Sequence, residues 1–184
     1  ITVSGTPPTA NFSSSSTCVQ VGTGPVQFND LSQNTPTSWA WSFPGGTPAT
    51  SSLPNPSVTY GTPGVYDVVL TVSNASGTNT LTKTGHVTVV DVKAQPLNGD
   101  TLICLGESLL LSASGAGNFL WQGPGITGSG AVVSVTPTNS GSAIYTVVGI
   151  TGSCSDAPVT LSIQVNPLPN VSVQVSTNEI CEGE

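Results

Sequence analysis

Four cysteines, at positions 18, 104, 154 and 181, are the side chains of this 184-residue chain with the most chemical scope. Thiols bind zinc, act as nucleophiles or form cross-links. A zinc site needs CxxC pairs or neighbouring histidines, and the one histidine, His86, stands alone in a Thr/Val strand. A catalytic cysteine needs a histidine and a group to orient it, which an isolated His86 does not supply. Serine and threonine are abundant, yet no Gly-x-Ser-x-Gly elbow is present. The acids Asp30, Asp67, Asp91, Asp100, Glu107 and Asp156 are scattered over turns and strand ends rather than paired as glycoside hydrolysis requires. These residues point to structural disulfides. No catalytic residue is expected, and the chain reads as a non-enzyme.

Three of the cysteines open similar phrases: Cys18-Val19-Gln20-Val21-Gly22, Cys104-Leu105-Gly106-Glu107 and Cys181-Glu182-Gly183-Glu184. Their separations, 86 and 77 residues, are each the length of one small sandwich domain, so the chain reads as consecutive beads of an array. Ile1-Thr2-Val3 is similar to His86–Val90 and reads as the tail of a preceding module, and Asn170–Glu184 as the head of a following one. The expected divisions are 1–6, 7–92, 93–167 and 168–184. Cys104 and Cys154 fall within one repeat and are expected to be bonded. The closed loop of about 50 residues would contribute on the order of 4 kcal/mol in the chain-entropy model. Cys18 finds no cysteine in the Asn74–Asn79 turn of its own module and is expected to be unpaired within this segment. So is Cys181, whose partner is expected beyond Glu184.

The elements that carry these residues are strands. After Pro63-Gly64, Tyr66, Val68, Leu70 and Val72 alternate with outward residues until a Ser-Asn-Ala-Ser-Gly turn, the pattern of a half-buried antiparallel strand. Trp39, Trp41 and Phe43 alternate in the same way and run into Pro44-Gly45-Gly46-Thr47-Pro48. Further strands are expected at 10–13, 26–30, 57–60 and 78–90. In the second half they are expected at 108–113, 119–122, 131–136, 143–149 and 159–165. With 21 glycines and 15 prolines marking turns, the fold class is all-β, as tandem antiparallel Ig-like sandwiches.

Trp39-Ala40-Trp41-Ser42-Phe43-Pro44-Gly45-Gly46 and the Tyr66 strand together resemble a polycystic-kidney-disease (PKD) domain over about 85 residues. Both acids of that family's Trp-x-Trp-Asp-Phe-Gly-Asp-Gly motif are replaced here. The Pro-Gly-Gly-Thr-Pro variant is similar to those in large secreted surface proteins of the Bacteroidota. The second half, with Trp121, Ile144-Tyr145-Thr146-Val147 and a cysteine at each end, resembles a divergent PKD- or Ig-like repeat. Asn166-Pro167-Leu168-Pro169 resembles the linkers between such repeats, and proline there favours a semi-rigid rod.

The resemblance carries several expectations. Tyr66 would form a tyrosine corner. Some PKD domains bind Ca²⁺, for which Asn29, Asp30 and Asp67 are candidate ligands. The competing roles are Asp30 capping the turn before Leu31-Ser32 and Asp67 on a solvent face. No other cofactor is expected. Trp39 and Trp41 share a strand face, which suits either core filling or sugar stacking. Asp100-Thr101-Leu102 is similar to the O-glycosylation sequence of exported Bacteroidota proteins, making Thr101 a candidate acceptor.

Charge narrows the partners. Charged residues make up only 6% of the chain, against roughly 25% in an average globular protein. Two lysines, no arginine and a net charge of −7 leave no footprint for nucleic acid or for an anionic membrane surface. No apolar run is long enough for membrane insertion as a helix. The strands at Asn79–Val90 and Val159–Val165 carry one lysine and no acid, so they read as edges open to lateral self-association into filaments. The chain is therefore expected to be a structural and adhesive repeat segment of an extracellular or cell-surface protein. Its partners would be neighbouring modules and a polysaccharide or protein ligand. The alternative is an accessory module that presents a secreted protease or glycoside hydrolase to its substrate.

Overall fold

The computed structural model describes residues 5–172, which form two β-sandwiches in series. In the first, one sheet contains β1 (Phe12–Ser14), β3 (Val26–Asp30), β7 (Ser57–Tyr60) and β5 (Gly46–Thr47), in that order. The facing sheet runs β2 (Cys18–Gln20), β9 (Gly77–Val90), β8 (Gly64–Asn74), β4 (Ser38–Ser42) and β6 (Thr50–Ser51). The second sandwich repeats the plan. One sheet is β10 (Lys93–Pro96), β12 (Leu109–Ser114), β15 (Val132–Val135) and β14 (Ile126–Thr127). The other is β11 (Leu102–Cys104), β18 (Val159–Asn166), β16 (Gly141–Thr151) and β13 (Asn118–Gln122), with β17 (Cys154–Ser155) extending the β16 hairpin.

Alternation decides what each sheet buries. Val68, Leu70 and Val72 of β8 point inward with Val87 and Val89 of β9, against Phe12, Phe28 and Val58 of the other sheet. Trp41 is buried, stacked on Phe43 with ring centroids 5.5 Å apart, and meets Phe12 edge-on at 5.2 Å. Its indole N–H donates to the Leu53 carbonyl at 2.9 Å, so the one polar atom of a large ring is satisfied. The half-buried Trp39 packs on the same core and donates to Asp30 Oδ2 at 2.7 Å. Both indoles are core and loop supports. The second core is built likewise, from Leu111, Val133, Val135, Tyr145, Ile163 and Val165.

Tyr66 donates its hydroxyl to the Thr62 carbonyl at 2.9 Å, the local tie of a tyrosine corner. Burial pushes the nearby Tyr60 phenol up to about 12, and Tyr66 beside it adds to the rise. Between Tyr66 and Val68 the register of β8 on β9 shifts, and Asp67 Oδ1 accepts the Gly85 amide at 2.7 Å across that bulge.

The chain-terminal strands of each sandwich differ from the expected open edges. Thr88, Val89 and Val90 of β9 pair in parallel with Cys18, Val19 and Gln20 of β2, and the 164–166 segment of β18 pairs in parallel with β11. The last strands are therefore interior at their C-terminal ends, because an early segment crosses from the opposite sheet to cover them. Among the described residues, β13, with the sequence Asn-Phe-Leu-Trp-Gln, is an uncharged strand paired on one side only.

His86 lies at the rim of the first core, its Nε2 3.0 Å from Ser14 Oγ and its ring edge-on to Phe12 at 5.3 Å. Lys83 stands on the same side, donating to the Phe12 carbonyl at 2.7 Å and lying 4.4 Å from the Phe12 ring centre. Desolvation lowers the imidazole pKa below its ordinary value, and the Lys83 charge adds to the lowering. A base with a folded pKa below its unfolded value binds more protons when unfolded. Stability is therefore lost as pH falls through the unfolded pKa, about 6.5, towards the folded one. Chemical denaturation of the first sandwich should show a midpoint falling between about pH 7 and 5.5, with the slope reduced in His86→Gln.

Candidate functional site: the joint between the sandwiches

Between the end of β9 at Val90 and the start of β10 at Lys93 lie only Asp91 and Val92. Val92 is buried, packed with Ala113 and Val147 of the second sandwich. A side chain at Gly149 would place its Cβ 2.2 Å from Val92 Cγ2, so that position is open only to glycine. Gly115 has φ +92°, accepts the Asp91 amide on its carbonyl at 3.2 Å, and would bring a Cβ to 1.8 Å from the Asp91 carbonyl oxygen. The joint is thus a close backbone approach with a buried apolar plug.

Asp156, on the β16–β18 hairpin of the second sandwich, supplies the polar half of this contact. Its Oδ2 accepts the Val92 amide at 2.6 Å, and its Oδ1 accepts from the Gln20 side-chain amide of β2 and from the Ala157 backbone. One carboxylate satisfies groups from the first sandwich, the joint and its own loop. Beside it Cys154, buried, forms a disulfide with the exposed Cys18 of β2, at a Cα–Cα distance of 5.4 Å and a sequence separation of 136. Outward side chains of β2 thus meet the next sandwich twice, Cys18 at Cys154 and Gln20 at Asp156.

This corrects the expected pairing of Cys104 with Cys154 and the expected unpaired Cys18. Among the described residues Cys104 is a free thiol, opposite Asn166 at the end of the second sandwich remote from the joint, whereas Cys154 precedes Val159 at the near end. The length of β18 between them, at about 3.3 Å per residue, is roughly 23 Å. A disulfide tolerates a Cα–Cα distance of about 4.4–6.8 Å. Cys181 lies outside the described residues.

The other candidates are placed as follows. Asn29 and Asp30 are on β3 and Asp67 is on β8, in the facing sheet. Asp30 Oδ1 accepts the Ser32 amide at 3.0 Å, capping the turn, while its Oδ2 holds Trp39; Asp67 holds Gly85. Carboxylates split between sheets and already engaged by N–H donors do not fit a cage of six to eight oxygens. Among the described residues no group of three or more His, Cys, Asp or Glu converges. Thr101 is exposed just ahead of β11, its carbonyl accepting the Gln164 amide at 2.8 Å. Sequence reasoning missed Asp156, Gln20 and Val92, whose roles depend on which module ends touch. Asp156 two residues beyond a hairpin cysteine was the only local signal.

Two sandwiches in series, sharing a plan and joined without slack, define a tandem Ig-like chain. Residues 5–89, which span the first sandwich, match the PKD domain family model. Among solved structures the chain is similar to the C-terminal 282-residue fragment of intimin in complex with the translocated intimin receptor's intimin-binding domain. That match has TM-score 0.51 and 14% identity, covering 85% of this chain and 64% of that one. It is also similar to the N-terminal four Ig domains of Dscam1 (TM-score 0.51, 13% identity, 90% of this chain and 47% of that one). The I67–I69 fragment of titin matches at TM-score 0.45 and 17% identity, over 88% of this chain and 66% of that one. The chain therefore spans less than two thirds of these matched structures. No curated protein matches the sequence. At these identities the structural likenesses speak for the fold alone. The domain class is generally non-catalytic, and PKD domains and a disulfide suggest an extracellular domain. No helix among the described residues is long and apolar enough to cross a membrane.

Asp156→Ala leaves the buried Val92 amide without its acceptor, at a cost of about 1–3 kcal/mol. Hydrogen exchange of a peptide spanning Val92 should accelerate roughly 5- to 150-fold, the same cost read as an opening constant. Exchange in the core strands around Leu70 and Leu111 should stay unchanged.

Proposed function

We propose that this chain is a load-bearing, non-catalytic repeat segment of a long extracellular surface protein or filament that holds an adhesive head away from the cell. The observation that carries the reading is the joint. A linker that served only to connect would be solvated and free to swivel, whereas here the connecting residue is buried, hydrogen-bonded and bridged by a disulfide. The cross-link also reroutes tension. Cys18 and Cys154 close a covalent loop that contains most of both sandwiches, so a pull on the chain ends passes through the S–S bond and the enclosed strands cannot be drawn out. An origin among Bacteroidota surface proteins, glycosylation at Thr101, and a polysaccharide or protein ligand at the distal head all accord with the reading.

Single-molecule pulling tests the mechanical half. With the disulfide intact, the 18–154 loop should release no length. Reduction should expose a further 450–490 Å or so, taking about 3.3–3.6 Å for each of 136 residues. Length released equally with and without reductant would overturn it. Electron microscopy of the full-length protein, labelled with an antibody to this segment, tests the biological half. Long beaded threads on cells are expected. Label against a compact catalytic head on a short protein would replace this reading with the accessory-module one.

A further inference from the structure

The free thiol of Cys104 has a counterpart in the first sandwich that shows what it faces. β11 is to β18 what β2 is to β9: a short strand laid parallel on the end of the last strand. The buried Val19 opposite Val89 matches the buried Ile103 opposite Val165. The Val21 amide donates to the Val90 carbonyl at 3.1 Å and the Leu105 amide to the Asn166 carbonyl at 2.8 Å. Each strand then turns through a glycine of nearly equal φ, +83° at Gly22 and +84° at Gly106. In this register Cys104 stands where Gln20 stands and Leu102 where Cys18 stands. Both positions face outward, and in the first sandwich both touch the hairpin of the sandwich that follows, one through Cys154 and the other through Asp156. Cys104 is thus a half-exposed thiol on the surface that, one repeat earlier, is covered and cross-linked by the next hairpin.

We propose that Cys104 is bonded in the full-length protein to a cysteine on the hairpin of the sandwich that follows, so that successive sandwiches are stapled by one disulfide per joint. This rests on the reading of the chain as a tandem array. Ile103-Cys104-Leu105-Gly106-Glu107 recurs as Ile180-Cys181-Glu182-Gly183-Glu184, and Cys154 follows Cys104 by 50 residues. The partner is therefore a hairpin cysteine about 50 residues past Cys181, by the repeat spacing. Formation is an ordinary exchange with the disulfide of a thiol–disulfide oxidoreductase. One cysteine thiolate attacks that disulfide, expelling one of its sulfurs as a thiol. The second cysteine thiolate then attacks the mixed disulfide, and the oxidoreductase leaves as a dithiol carrying the two electrons and two protons.

The test is disulfide mapping of the full-length protein from native cells, alkylated before lysis and digested without reduction. The peptide carrying Cys104 should appear linked to a downstream hairpin peptide, alongside the Cys18–Cys154 link. In Cys104→Ser, one downstream thiol per chain should become alkylatable while Cys18–Cys154 persists. Cys104 recovered with the alkylating label, bonded to Cys181, or bonded to a second chain overturns the proposal. Such a result beside beaded threads in the micrographs would sink the staple and leave the array intact. Threads absent and Cys104 stapled would do the reverse.

Discussion

The buried amide of Val92 is the constraint on which the arrangement of the two sandwiches depends. A two-residue connection that buries Val92 keeps its amide from water, so that N–H needs a protein partner. Asp91 finds the Gly115 carbonyl and Val92 finds the Asp156 carboxylate. Both partners come from the second sandwich. The first cannot swing away without exposing an apolar side chain and stranding polar groups together. The orientation of one module on the next is therefore a product of folding.

The short strands β2 and β11 carry two tasks by virtue of the two faces of a strand. Their inward residues, Val19 and Ile103, extend the core of their own sandwich and cover the end of the last strand. Their outward residues are then delivered, without further design, to the end of the sandwich where the next begins. Covering a sheet edge and building an inter-module contact are one structural act, which explains why the lack of charge on β9 and β18 is tolerated.

What was legible in the sequence follows the range of the interaction. The β8 and β4 strands, the Trp41 core position, the Tyr66 corner and the turn role of Asp30 are set by alternation and turn chemistry within a dozen residues, and such patterns survive in one dimension. Cysteine connectivity was not legible. Placing Cys104 and Cys154 in one repeat put them in the same module, but a sandwich is long along its strands and the two residues sit at opposite ends. Reading the bond required knowing that consecutive modules meet hairpin to strand. The same gap hid Asp156, whose partners are 64 and 136 residues away.

That hidden connectivity changes the mechanics more than the stability. A disulfide inside one module would lock part of that module and leave the joint to its hydrogen bonds and one apolar plug. A disulfide across the joint leaves each core to its own packing and instead closes a loop around both. Under tension the hydrogen bonds between β2 and β9 are then relieved of load, because Cys18 sits at the start of β2 and the covalent path leaves the first sandwich there. Within this pair the residues enclosed by the loop are shielded, and the S–S bond carries the force between Cys18 and Cys154.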